Sequence, residues 1–228
     1  MPEKEETRTV RRGRARKPPL TAESIVQAAL SLIEQRGADA VALRQVAEQV
    51  ETGPASLYAY FASRDVLLEH VLDAAYARVQ LVDADDDADG WRAALAATIV
   101  NTITTLEKYP GLGSVALGTI PVLPGALRLA EHELTLLGSG GIPADRAALA
   151  VDLIAQFAAS SAIERAVRSS GNRGDGERAH VQTAYEHADP EQFPRIRQYA
   201  ALLTTPGEQA RRDFAIRVII DGIEGSPS

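Results

Sequence analysis

Between Ala42 and Asp65 the chain reads ALRQVAEQVETGPASLYAYFASRD, and this stretch leaves few ways to fold. Leu43, Val46, Ala47 and Val50 recur at a three/four spacing, which gives a short helix one buried stripe. Glu51-Thr52-Gly53 interrupts the pattern. Gly53 can cap a second helix, and Pro54 suits its first position, where a missing N–H costs little. That second helix, expected over Pro54–Phe61, carries Leu57 and Phe61 at i, i+4. About two turns do not hold on their own, so neighbouring helices must fix it from the Leu57/Phe61 side.

The remaining face of the second helix shows Ala55, Ser56, Tyr58, Ala59 and Tyr60, small or aromatic and uncharged. Such a face can lie close against base edges in a DNA major groove. An ordinary helical hairpin inside an all-helical core has the same pattern. Ala47, Ser56-Leu57-Tyr58, Tyr60-Phe61 and Ser63-Arg64-Asp65 resemble the DNA-binding signature of the TetR (tetracycline-repressor-type) family of transcriptional regulators, over about Leu20 to Val79. The resemblance implies DNA contacts from Arg44, Pro54, Ala55, Ser56, Tyr58 and Tyr60, with Arg64 meeting a phosphate. A guanidinium such as that of Arg44 on guanine supplies about 1–3 kcal/mol of discrimination. This sequence departs from the pattern at three places. Glu51 stands where the family usually has a turn glycine, which strains a left-handed turn. Gly53 replaces a common serine cap, and Ala59 occupies the position of a frequent histidine.

Charge is unevenly placed. The formal net charge is −7, yet Arg8, Arg11, Arg12, Arg14, Arg16 and Lys17 fall together with no acid among them, and the surplus acid lies beyond residue 71. That distribution suits a protein that touches nucleic acid at one end. Residues 1–19 read as a disordered arm. Its Arg11, Arg12, Arg14 and Arg16 resemble tails that enter a narrow A·T minor groove, although Ala15 replaces the usual proline. A merely solubilising tail is the equal alternative. There is no cysteine, so disulfides and thiolate chemistry are out. The basic, polar start lacks an apolar leader and no apolar run is read as spanning a membrane, so a cytoplasmic protein is expected.

In chain order, Thr21 caps a first helix, with Ser24 as a weaker alternative. Ile25, Ala29, Leu32 and Ile33 form its stripe and Gly37 ends it. Ser63 caps a connecting helix expected to run to about Val82, with Val66, Leu67, Val71, Leu72, Ala75 and Val79 inward. Asp85, Asp87, Asp89 and Gly90 match the first half of a calcium loop, but the closing bidentate position is Ala96, so the segment reads as a solvated acidic loop. A helix from Trp91 places Leu95, Ile99, Ile103 and Leu106 on one face with Thr98 and Thr102 inside it, and Tyr109-Pro110-Gly111 stops it. Ala126–Leu137 looks apolar on nearly every side and therefore buried. Gly138–Gly141 is a loop without the GK[ST] of a phosphate site. Over Asp145–Arg168, Leu149, Leu153, Phe157, Ile163 and Val167 share a face with Gln156, Ser160 and Glu164. Buried polar groups require partners, so Trp91, Thr98, Thr102, Gln156, Ser160 and Glu164 are the candidate effector pocket; helix–helix hydrogen bonding is the competing reading. A last helix over Gly207–Glu224 carries Phe214, Val218, Ile219 and Ile223. Its segment Phe214–Glu224, FAIRVIIDGIE, resembles the closing helix of tetracycline-repressor-like C-terminal domains, which implies that these four residues pack in a four-helix dimer interface.

Four histidines, His70, His132, His180 and His187, are the candidates for neutral-pH base chemistry. None has metal-ligand spacing, GxSxG is absent, and all four read as surface residues, so no enzyme and no cofactor is expected. The expected architecture is all-α. It divides into an arm (1–19), a helix-turn-helix head (20–65), a connecting helix (66–82) and a helical effector-binding and dimerisation body (83–228). The expected partners are a palindromic double-stranded DNA operator, an unknown small-molecule effector and a second copy of the chain, with no membrane. The function read here is a ligand-responsive repressor. The alternative is an all-helical ligand-binding or adaptor protein that has lost DNA binding.

Overall fold

A computed structural model describes residues 19–85, 87, 89–170 and 175–225. Among them are eleven α-helices and no strand. The expected arm, with Arg11, Arg12, Arg14 and Arg16, lies outside the described residues.

Helix α1 (Ala22–Arg36) begins on a reciprocal cap. Thr21 Oγ1 accepts from Ser24 N at 3.1 Å, and Ser24 Oγ accepts from Thr21 N at 3.0 Å. Ser24 is thus the return partner in the cap rather than a rival start. Gly37, at φ 77°, ends the helix as expected. Helix α2 (Leu43–Gln49) closes in a turn that explains the fate of Glu51. Thr52 N donates to Ala47 O at 2.8 Å and Glu51 N to Glu48 O at 3.1 Å, the paired bonds of a Schellman stop. This geometry puts its penultimate residue in the left-handed region, and Glu51 sits there at φ 52°.

Helix α3 is a single α-turn, Pro54–Leu57, shorter than the Pro54–Phe61 expected. Tyr60 N and Phe61 N both donate to Leu57 O at 2.9 Å, so the chain runs on through turns at 58–60 rather than as continued helix. The anchors survive the shortening: Leu57 and Phe61 are both buried. Helix α4 (Arg64–Tyr76) opens on Ser63, whose Oγ accepts from Val66 N. It ends at Tyr76, short of Val82. Residues 79–82 have left the helix, and side chains from elsewhere take up their backbone groups. Arg128 donates to Val79 O, Asn101 Nδ2 to Gln80 O at 2.8 Å, and Thr98 Oγ1 accepts from Val82 N. Those partners lie up to about fifty residues away, beyond the reach of any local signal.

The body comprises α5 (Gly90–Glu107), α6 (Leu112–Gly118), α7 (Pro124–Ser139), α8 (Ala144–Ser170), α9 (Asp175–Glu186), α10 (Pro194–Thr204) and α11 (Glu208–Gly225). Helix α5 packs on α7 and α8, α6 on α8, and α11 on α5 and α8, while α9 and α10 pack chiefly on each other. Helix α7 crosses α4 at Gly125, where an added Cβ would stand 2.2 Å from Asp73 O. The Asp73 carboxylate also accepts from Ala126 N at 2.9 Å, so α4 caps the start of α7 directly.

Two hydrophobic clusters result. One unites α1–α4 with Leu106, Tyr109, Leu112, Ala126, Leu129 and Ala162. The other holds Trp91, Leu95, Ile99, Ile103, Leu136, Leu137, Ile154 and the inner residues of α11.

Three expectations about the body change. Helix α7 is amphipathic rather than buried all round: Leu127 and Leu134 are exposed while Glu133 is buried. Helix α8 turns Ala147, Ala150, Ile154, Ala158 and Ala162 inward and leaves Leu149, Leu153 and Val167 exposed. Small side chains let it approach its neighbours closely, and the large apolar residues face out. By length and composition α8 is also apolar enough to cross a bilayer, contrary to expectation; its two apolar sides, one packed and one exposed, account for that composition. On α11, Ile216, Ile220 and Ile223 are buried and Phe214 and Val218 are exposed. The stripe expected there splits between two faces.

Candidate nucleic-acid interface and effector site

The head presents a compact outward face. Leu57 and Phe61 hold α3 from beneath, while Pro54, Ala55, Tyr58 and Ala59 are exposed and Ser56 is half-buried. Tyr58 is 57% exposed, far more than a core tyrosine. Arg44 stands at the start of α2 with Nε 3.0 Å from Glu48 Oε1, both side chains well exposed. An exposed pair of this kind contributes at most about 1 kcal/mol, so the guanidinium can exchange Glu48 for a nucleic-acid acceptor.

Two candidates from the same segment have jobs inside the chain. The Tyr60 hydroxyl donates to Leu20 O at 2.7 Å, tying the recognition turn to the chain just before α1. Arg64 Nε donates to Val41 O at 2.7 Å and its Nη2 to Ala38 O at 2.5 Å. These bonds brace the connection between α1 and α2. A free carbonyl there would lack partners, and a guanidinium supplies two donors in a fixed fork.

The candidate effector residues do not form one site. Trp91 is buried against Gly140, where an added Cβ would meet the indole at 2.4 Å. Thr98 and Thr102 are buried; Thr98 Oγ1 receives Val82 N, and Thr102 Oγ1 donates to Thr98 O at 2.9 Å. Gln156, Ser160 and Glu164 are on the exposed face of α8. Gln156 donates to Asp152, Ser160 to Phe157 O, and Glu164 pairs with Arg168. Gln156 and Ser160 lie on the exposed side of α8, and Glu164 lines a separate cleft with Ile103 and Glu107 of α5 and Arg211 and Arg212 of α11, so the six do not meet. Ile223 likewise packs inside the chain, whereas Phe214 and Val218 are free to meet a second copy and Ile219 is half-buried.

Glu133 was missed in the sequence. It is 3% exposed, among the most enclosed polar side chains described. Burial pushes its carboxyl up to about 8, so it is mostly protonated at neutral pH. Tyr76, on α4, is pushed up to about 12, first by burial and then by the Glu133 charge. The signal was available: Glu133 shares the α7 face of Ala126, Leu129, Leu136 and Leu137, an acid on an apolar stripe. Its neighbour His132 is not a surface residue either, since Nε2 lies 3.0 Å from Val82 O and 3.5 Å from Thr98 Oγ1. His70 stacks edge-on with Phe61 at 5.3 Å. No group of three or more acids and histidines could hold a metal among the described residues.

Residues 25–71 match the family model described as bacterial regulatory proteins of the tetR family, and residues 84–226 the tetracyclin repressor-like C-terminal domain. The second match alone spans more than half of the chain. The chain belongs to the TetR family. Its all-helical head and body share the fold of TetR-family structures. The apo structure of ActR from Streptomyces coelicolor superposes with a TM-score of 0.81 at 26% identity, over 90% of this chain and 95% of ActR. The ActR complex with actinorhodin gives 0.82 at the same identity, over 90% and 97%. Among TetR-family sequences, the HTH-type transcriptional repressor DrrR1 of Streptomyces coeruleorubidus is 30% identical over 73% of this chain and 61% of its own length. The chain thus spans less than two thirds of that relative. The class A tetracycline repressor of Escherichia coli is 25% identical over 88% of both chains. TetR-family regulators are generally non-enzymatic DNA-binding proteins.

Proposed function

We propose that this chain is a homodimeric, ligand-responsive transcriptional repressor that reads a palindromic operator. The observation that carries the reading is the outward presentation of Tyr58, Ala55 and Pro54 by a turn whose apolar side, Leu57 and Phe61, is buried. Arg44 flanks that face and Arg64 and Tyr60 hold its frame. Of the expected DNA contacts, Arg44, Pro54, Ala55, Ser56 and Tyr58 remain direct readers, and Tyr60 and Arg64 become positioning residues. The arm arginines Arg11, Arg12, Arg14 and Arg16 supply the phosphate or minor-groove term that the mixed-charge head lacks. Two heads bind successive major-groove faces, so the half-sites lie about 34–36 Å apart or a multiple of that.

The dimer forms through α8 and α11. Leu149, Leu153 and Val167 on one and Phe214 and Val218 on the other are exposed, and the two helices contact each other. A four-helix packing of two such pairs covers them. ActR, a structural relative, was solved with actinorhodin bound; here a small molecule in the body changes the head spacing through α4. That helix starts beside α3 and, at Asp73, caps α7. Only a ligand that binds the two spacings unequally can shift them.

Selection from random double-stranded DNA with the purified protein tests the reading. Enrichment of a palindrome is expected, and a pool that shows none contradicts it. The second reading, a ligand-binding protein without DNA function, draws on the acids Glu48 and Glu51 beside the recognition turn; it predicts that Arg44→Ala with Tyr58→Ala leaves DNA affinity unchanged.

A further inference from the structure

The cleft that Glu164 lines lies between the end of α5, the middle of α8 and the first turns of α11, and it encloses about 190 Å³. Ile103, Phe157 and Ala215 give it an apolar wall. The acids among its lining groups already have partners. Glu107 Oε1 is 3.4 Å from Arg212 Nη1, Glu208 Oε2 is 3.0 Å from Arg165 Nη1, and Glu164 pairs with Arg168. Glu107 and Arg212 are the enclosed pair, with side chains 17% and 22% exposed.

The donors are not used up. Arg212 Nε is buried and has no hydrogen-bond acceptor among the described residues. Arg211, which also lines the cleft, forms no ion pair among them. Four guanidiniums thus stand against three carboxylates, a surplus of one positive charge. A buried N–H on a charged group costs its full desolvation when nothing accepts from it. A cation entering the cleft would find each acid taken, whereas an anion would find a donor without an acceptor. We infer that this cleft binds a small organic monocarboxylate, its carboxyl on Arg212 and Arg211 and its apolar part against Phe157 and Ile103.

The chemistry of the lining sets the class. Once the Arg212 guanidinium turns toward the cleft, its Nε and Nη2 can hold a carboxylate side-on through two parallel charge-assisted bonds. Arg211, itself exposed, adds a second cation. The volume lies below the 300–1,000 Å³ or so of drug-sized sites, which limits the ligand to a single ring or a short chain. One surplus charge matches a monoanion. A dianion such as phosphate leaves a negative charge unmatched and has nothing to set against the apolar wall. Glu107 competes with the ligand for the Arg212 guanidinium, so its charge weakens the site. Every residue named belongs to the body, and the site stands independently of the operator reading.

Ligand-observed NMR titration of the full chain tests this with benzoate and pentanoate, each against its neutral amide, and with inorganic phosphate. Both acids are expected to bind at millimolar concentration or below, and the amides and phosphate about tenfold or more weakly. Arg212→Gln should weaken binding of the acids by about tenfold or more, and Arg211→Gln by about two- to fivefold. Glu107→Gln should act in the opposite direction and tighten binding by about threefold or more, because the competing acid is gone. A merely structural role for the Glu107–Arg212 pair would weaken binding on loss of either partner. Failure of both acids to bind, equal binding of the amides, phosphate binding as tightly as the acids, full retention in Arg212→Gln, or unchanged or weaker binding in Glu107→Gln each overturns the proposal. Arg211→Gln and Glu107→Gln decide even if Arg212→Gln does not fold, since full retention in Arg211→Gln also contradicts the site.

Discussion

Single side chains carry strain in two places. Glu51 occupies a left-handed position at φ 52°, which costs an L-residue about 1–2 kcal/mol relative to the right-handed region. Glu51→Gly should raise urea-unfolding stability by about 1 kcal/mol, less whatever the side chain itself contributes; a fall in stability would show that the side chain's own interactions outweigh the backbone strain. The Glu133 carboxyl holds its proton more tightly in the fold, at about 8, than at its ordinary 4.5. The folded state binds more protons than the unfolded state across that window, so stability falls as the pH climbs from 4.5 to about 8. The full effect is on the order of 5 kcal/mol. Glu133→Leu should remove that slope, and chemical denaturation across the window would read it. A variant with the same pH dependence as the wild type would mean that the carboxyl finds a partner in solution.

Elements show where the sequence was legible. The caps at Thr21 and Ser63, the stop at Gly37 and the Leu57/Phe61 anchors are local signals, and each is present in the fold. The end of α4 was illegible, because the groups that satisfy residues 79–82 come from α5 and α7. The inward face of α8 was illegible for another reason. Periodicity ranks Leu149 and Leu153 as core, yet close packing favoured the alanine side and left them exposed. The candidate pocket inherited that error, joining Gln156, Ser160 and Glu164 to threonines they do not face. Glu133 was legible in principle, as an acid inside an apolar stripe. If the exposed sides of α8 and α11 form the dimer, Leu153→Asp with Phe214→Asp should yield folded monomers by analytical ultracentrifugation. Persistence of a dimer would place the interface elsewhere.

At the scale of the whole molecule, charge and shape divide the work of binding. The arm holds Arg8, Arg11, Arg12, Arg14, Arg16 and Lys17, while the head beside it mixes Arg44 and Arg64 with Glu48, Glu51 and Asp65. Removing residues 1–17 should therefore make DNA affinity less dependent on salt, the log–log slope shrinking by about 0.9 for each phosphate the arm had neutralised. An unchanged slope would assign those residues a solubilising role only. The central claim is that α3 and the turn after it read base edges. The direct measurement is the affinity of Arg44→Ala/Tyr58→Ala for the selected operator and for unrelated DNA, by fluorescence anisotropy at one salt concentration. The account predicts that each substitution weakens operator binding by about 1–3 kcal/mol, with little change on unrelated DNA. Equal operator affinity for the variant and the wild type would contradict it.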